Sequence, residues 1–195
     1  MSRKKAAGVT YNEILDKAWN LVAKEGAQVS IQQIADAADV SRQSVYLHFK
    51  TRGGLLMALV KRADERFEVK QDFDAAIALA DPVERFNKCL EVWFVFLVKI
   101  SPVANDLIRL RKTDAEAAAA WEDRMTDLRS WERELIVSLE RDGALLEGWT
   151  VDDATDFFWA SSSVQTWDLL TGDRNWTNEK AEMVLRRVLA RALLK

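Results

Sequence analysis

Residues 30–56 read SIQQIADAADVSRQSVYLHFKTRGGLL, two short helical patterns each opened by a serine. Ser30 stands three residues before Gln33, the spacing of a capping box, and Ile31, Ile34, Ala35 and Ala38 give the following turns one apolar face. Asp39 closes that helix. Ser41 caps the next, in which Val45 and Phe49 lie four apart and would pack inward. About three residues separate the two helices, the spacing of a helix-turn-helix. In that motif the second helix enters the major groove with its N-terminal residues at base edges, here Arg42, Gln43 and Ser44. Arg offers a fork to guanine and Gln a bidentate pair to adenine. Tyr46, His48, Lys50 and Arg52 fall toward the helix end and next turn, where phosphate contacts are expected. Helical hairpins with polar faces also occur in other proteins, so spacing alone leaves the DNA role open.

Charge supports a polyanion partner at this end. Residues 1–62 carry ten Lys/Arg against five Asp/Glu, the remainder 18 against 26, within a chain of net charge -3. Arg3, Lys4 and Lys5 read either as a minor-groove arm or as a solvated tail.

The rest of the chain reads as helices. Two prolines, seven glycines and no hairpin signal in 195 residues predict an all-α protein. A first helix is expected from about Thr10 to Lys24, ended by Gly26, and a fourth from about Thr51 to Phe67. Asp81-Pro82 and Ser101-Pro102 each place an N-cap before proline, predicting two helix starts. A charged helix from about Asp114 to Asp142 carries Ala117, Trp121, Leu128, Trp131, Leu135 and Leu139 along one stripe, and Gly143 marks its end. Thr150 and Asp153 open a helix ending near Gly172, with apolar residues on two faces. Ser161, Ser162 and Ser163 within it would allow close helix approach. The last helix begins near Thr177 with the stripe Ala181, Val184, Leu185, Val188, Leu189 and Ala192.

The order Ile34-Ala35, Ala38, Val40-Ser41, Tyr46, His48-Phe49 and Leu55-Leu56 resembles the helix-turn-helix of TetR-family transcriptional regulators. The resemblance covers about residues 10–60; the rest matches in general character. It implies an N-terminal three-helix DNA-binding domain with a helix-turn-helix at 1–50. A C-terminal helical ligand-binding and dimerisation domain would follow at 51–195. It implies DNA contacts by Ser30, Ser41, Arg42, Gln43, Ser44, Tyr46, His48, Lys50 and Arg52. Ser30 and Ser41 are also N-caps, Tyr46 is also a core candidate, and His48 is a phosphate donor or a packing residue. Three departures stand out. Asp39 replaces a turn glycine, a position Asp tolerates in the left-handed region. Arg52 replaces a lysine. Gly53-Gly54 replace an acidic pair, each costing about 1 kcal/mol against alanine within a helix.

By the same resemblance, the two C-terminal helices pair with their copies in a homodimer on a pseudo-palindromic double-stranded DNA site, about 34–36 Å between recognition helices. The remaining helices would enclose a small-molecule effector of apolar or aromatic character. Trp93, Phe94, Leu97, Trp121, Met125, Phe158 and Gln165 are the candidate lining. A tryptophan at helical spacing is more often core or dimer interface. The expected function is a repressor released from its operator by ligand; the alternative is a constitutive or architectural binder without inducer, favoured if the interior is packed solid.

Other classes fit poorly. One histidine and one cysteine exclude most Cys/His nucleophile pairs and histidine metal sites, and no GxSxG, HExxH or phosphate-loop pattern occurs. Asp152, Asp153 and Asp156 read as an acidic helix start. No enzyme activity and no cofactor are expected. No apolar run approaches a membrane span and no apolar segment follows the basic N-terminus, so a cytoplasmic protein is expected. Cys89, unable to form an internal disulfide, suits a reducing compartment.

Overall fold

The computed structural model describes residues 11–25 and 29–195. The expected basic arm at Arg3, Lys4 and Lys5, the helix start at Thr10 and the stop at Gly26 lie outside these residues. Every named element is helical, in the order α1 Tyr11–Glu25, α2 Ile31–Ala37, α3 Arg42–Phe49, α4 Arg52–Arg66, α5 Val69–Ile77, α6 Pro82–Leu110, α7 Ala115–Arg141, α8 Val151–Ser161, α9 Val164–Asp168 and α10 Asn178–Leu193. A π-helical turn, Leu169–Asp173, extends α9. An isolated antiparallel bridge pairs Leu145 with Leu194. The chain separates into two compact units, Met1–Ala63 with Pro102–Trp121 and Asp64–Ser101 with Glu122–Lys195.

The first unit is built by the expected punctuation. Ser30 Oγ accepts from the Gln33 amide at 3.2 Å while Gln33 Oε1 accepts from the Ser30 amide at 2.8 Å, completing the capping box. Asp39 takes φ +54°, the left-handed conformation its turn requires. Ser41 Oγ accepts from the Ser44 amide at 3.1 Å. Ile14, Ile34, Val45, Leu55, Leu56 and Leu59 are buried beneath these turns.

The glycine pair answers to packing in the first turn of α4. A Cβ on Gly54 would stand 2.3 Å from the Phe49 carbonyl oxygen, and one on Gly53 would stand 2.7 Å from Ala117 Cβ. Thr51 Oγ1 accepts from the Gly54 amide at 3.0 Å, so the helix is capped where its glycines weaken it.

The helices after the first four, most of them in the second unit, depart from the expected pattern in four places. Ser101-Pro102 does not start a helix: α6 runs through Pro102 to Leu110. A proline inside a helix removes one hydrogen bond, at a cost of about 3 kcal/mol. Val103, Ala104 and Leu107 continue the buried row beyond it, which offsets that loss. Ser101 Oγ meanwhile donates back to the Leu97 carbonyl at 2.6 Å. The expected helix from Thr150 to Gly172 is broken at Ser162, because Ser163 caps α9 by accepting from the Thr166 amide at 3.2 Å. The last stripe divides: Ala181, Leu185, Leu189 and Leu193 face inward, whereas Met183 and Val188 are exposed. α5 has no counterpart among the expected helices. It starts after Glu68, which takes φ +49°.

Phe86, Phe94, Leu97, Leu135 and Leu139 form the centre of this unit, with Phe94 stacked on Trp167 at 5.5 Å between ring centroids. Arg85 is buried and satisfied, donating to Asp142 Oδ2 at 2.6 Å and to the Leu79 carbonyl at 2.9 Å.

Candidate nucleic-acid interface and buried cage

In α3, Val45 and Phe49 turn inward and fix the opposite face outward. Ser41, Arg42, Gln43, Tyr46, His48 and Lys50 are exposed, and Ser44 is half-buried. Ser30 is exposed at the start of α2. The residues at the helix start and the cation at its end are thus open to solvent, Ser44 less than the others. Leu47, absent from the expected contacts, is 79% exposed on this helix. An apolar side chain held in water among polar ones suits a thymine methyl. Its position beside Tyr46, two residues beyond the inward Val45, was the available signal.

His48 packs as much as it projects: its ring meets Tyr11 edge-on at 6.2 Å between centroids. Lys50 has φ +58° and ψ -54°, and the Thr51 amide donates across it to the Phe49 carbonyl at 2.6 Å. That is a γ-turn of the strained hand, which no lysine adopts without compensation. Arg52 is engaged within the fold. Its guanidinium donates to Asp106 Oδ2 at 3.0 and 2.6 Å and to the Val29 carbonyl at 2.6 Å, so a protein carboxylate occupies the charge expected to meet a phosphate.

The expected effector lining is only partly assembled. Trp93 and Phe158 meet in a small enclosed cavity with Phe73, Cys89, Leu128, Trp131 and Glu132. Phe94 and Leu97 are fully buried core. Trp121 belongs to the first unit, with the Arg111 guanidinium 5.0 Å from its ring centre. Met125 and Gln165 are half-buried and do not line the cavity. A larger open groove of about 560 Å³ runs along α5 and α6. It is lined by apolar residues such as Phe67, Val92 and Phe96 together with charged ones such as Asp72, Glu84, Lys88 and Lys99, and by none of the expected residues.

The cavity's polar member went unread in the sequence. Glu132 is 3% exposed; Oε1 accepts from Ser162 Oγ at 3.0 Å and Oε2 has no hydrogen-bond partner. Burial pushes its carboxyl up to about 8, against the smaller opposing effects of the Ser162 hydroxyl and Arg129. Ser162 also accepts the Trp93 indole N–H on its carbonyl at 2.8 Å. The Cys89 thiol is pushed up to about 12 by burial and stays protonated. Among the described residues no group of three His, Cys, Asp or Glu side chains could hold a metal ion, and no helix is long and apolar enough to cross a membrane.

Residues 14–59 match the family model for bacterial regulatory proteins of the tetR family. No curated protein matches the chain. Among solved structures, a putative transcriptional regulator from Saccharomonospora viridis in complex with choline is 19% identical, with TM-score 0.74 over 94% of this chain and 97% of that one. The transcriptional regulator FadR from Bacillus subtilis in complex with stearoyl-CoA is 20% identical, with TM-score 0.72 over 94% and 99%. A putative TetR-family regulator from Rhodococcus sp. is 18% identical, with TM-score 0.69 over 93% and 97%. At such identities these likenesses establish a shared fold.

Proposed function

We propose that this chain, whose residues 14–59 match the model for bacterial regulatory proteins of the tetR family, is a ligand-responsive repressor of that family that binds a pseudo-palindromic operator as a homodimer. The observation that carries the reading is α3: capped by Ser41, anchored by Val45 and Phe49, with Arg42, Gln43, Tyr46 and Leu47 exposed on one short helix. Arg42 and Gln43 read base edges, Leu47 meets a thymine methyl, and Ser30, Ser41, Ser44, Tyr46, His48 and Lys50 contact backbone or adjacent bases. Arg52 acts one step back, holding the start of α4 through Asp106.

Dimerisation is assigned to α8 to α10, where Met183 and Val188 leave apolar surface uncovered on the last helix. The effector is assigned to the second unit; neighbours of the same fold have been solved in complex with choline and with stearoyl-CoA. Ligand binding favours a conformation with the wrong spacing of reading heads, and release follows from its preference for that state. The protein acts where the DNA is, in the cytoplasm, and the reading assigns it no catalysis.

A second reading, a constitutive DNA binder, draws on one observation: the free volume beside Trp93 and Phe158 is only about 10 Å³. The unpartnered Glu132 oxygen weighs against a finished, solid interior.

The test is selection of host DNA fragments by the purified protein and by the Arg42→Ala, Gln43→Ala double variant. An enriched palindrome lost in the variant supports the assignment. No enrichment even at low salt, where phosphate contacts are strongest, overturns it.

A further inference from the structure

Helical cores rarely keep a carboxylate with an empty oxygen. Taking Glu132 out of water is unfavourable unless a partner offsets it, and the partner within the chain, Ser162, serves Oε1 alone. The surroundings of Glu132 say what kind of partner would suit it. Phe73 from α5, Trp93 from α6, Trp131 and Glu132 from α7 and Phe158 from α8 line one cavity, with Phe73 and Trp131 rings 6.1 Å apart between centroids. Aromatic faces attract cations and offer no lone pairs.

That combination discriminates among cations. A metal ion needs several ligand atoms, and the lining supplies one carboxylate and one protonated thiol. A primary ammonium carries three N–H donors and would find one acceptor group. An alkylated ammonium has few donors or none and spreads its charge over methyl or methylene groups, which rings can face.

We propose that this cage is the receptor for an organic cation with an alkylated nitrogen, Glu132 being its counter-ion and Phe73, Trp93, Trp131 and Phe158 its walls. The assignment rests on the ligand-responsive reading above and gives that effector a chemical class. The free volume of about 10 Å³ admits roughly one water, so entry requires lining side chains, such as the half-buried Trp131, to move. A ligand that binds only the opened state stabilises it, which is the property an effector needs. Burial leaves the empty site protonated at neutral pH; an arriving cation sends that proton to solvent.

The experiment is calorimetric titration of the full chain with benzyltrimethylammonium and with its uncharged shape-mate 2,2-dimethyl-3-phenylpropan-1-ol, which keeps a hydroxyl donor. The wild type should bind the cation at least about tenfold more tightly than the alcohol. Glu132→Gln should remove that preference and leave alcohol binding unchanged. Phe73→Leu, which keeps the carboxylate, should weaken the cation several-fold and the alcohol less. Equal binding of both probes, indifference to Glu132→Gln, or no saturable binding of the cation would each overturn the proposal. Operator selection is scored separately: a protein that binds the cation but selects no DNA refutes the regulator reading and leaves the cage standing. The reverse outcome refutes the cage alone.

Discussion

Ser162 Oγ lies 3.0 Å from Glu132 Oε1, joining the break between α8 and α9 to the middle of α7. The hydroxyl donates to a group whose burial raises its pKa from 4.5 to about 8. The sign of the linkage follows. Between those values the unfolded chain releases its proton first, so the folded state binds more protons and stability falls as pH rises. The slope contributed by this group reaches about 1.4 kcal/mol per pH unit and vanishes below and above the window. Glu132→Gln removes it. Urea unfolding should find the variant's advantage over wild type larger at about pH 8 than at about pH 5. An unchanged difference would show that Glu132 titrates normally.

The same proton links the cation to pH. The groups near Glu132 are Val69 and Phe73 from α5, Cys89 and Trp93 from α6, Arg129 on α7, and Phe158 and Ser162 from α8 and its end. Of these only Glu132 changes charge across the neutral range, since the Cys89 thiol is held near 12. Below about pH 8 a quaternary ammonium must displace one proton, so its affinity should rise about tenfold per pH unit and then level off. In Glu132→Gln the dependence should be flat. Isothermal titration in two buffers of different ionisation heat would count the proton directly.

Lys50 sets stability against function. Its positive φ favours glycine by about 1 kcal/mol, while the proposed function assigns its ammonium to a phosphate. Lys50→Gly should raise the unfolding midpoint and weaken operator binding. The slope of log K against log salt should lose about one unit. If binding is unchanged, the lysine is not a phosphate contact.

Arg52 and Arg42 should separate in the opposite way. Arg52→Ala strands Asp106, which is nearly buried and then keeps only its 2.8 Å bond from Arg109. A loss of about 2 kcal/mol of folding stability is expected, with the salt dependence of DNA binding unchanged once the folded fraction is matched. Arg42→Ala, on an exposed side chain, should leave stability within about 0.5 kcal/mol and relax base preference.

The first unit was legible because its signals are local. A serine three residues before a glutamine, a serine before Arg42 and an inward pair four apart each act within one turn of helix. The later helices were less so. Ser101-Pro102 carries a start signal, but the apolar row through Val103 and Leu107 outweighs it, and only tertiary burial decides that contest. α5 lacks a side-chain cap and follows a left-handed Glu68, so neither end announces it, and Phe73 was missed with it. Glu132 was within reach: it sits on the α7 row between Leu128 and Leu135, where a charged residue interrupts a buried stripe. The spacing cannot show that Ser162 and three aromatic-bearing helices converge on it.

Gly53 and Ala117 are 64 positions apart in sequence, yet a Cβ on the glycine would come within 2.7 Å of the alanine's. The two sites therefore share one methyl group's worth of space. Gly53→Ala alone should destabilise the protein by about 1–3 kcal/mol. Adding Ala117→Gly should restore only part of it in a thermal-melt comparison, because the Ala117 backbone N and Cα would still stand 3.0 and 3.1 Å from the new Cβ. Substitutions at the two positions are thus coupled: a methyl on one helix narrows what the other can carry. Gly54 has no such trade, because its neighbour is the backbone oxygen of Phe49, which no substitution can shrink.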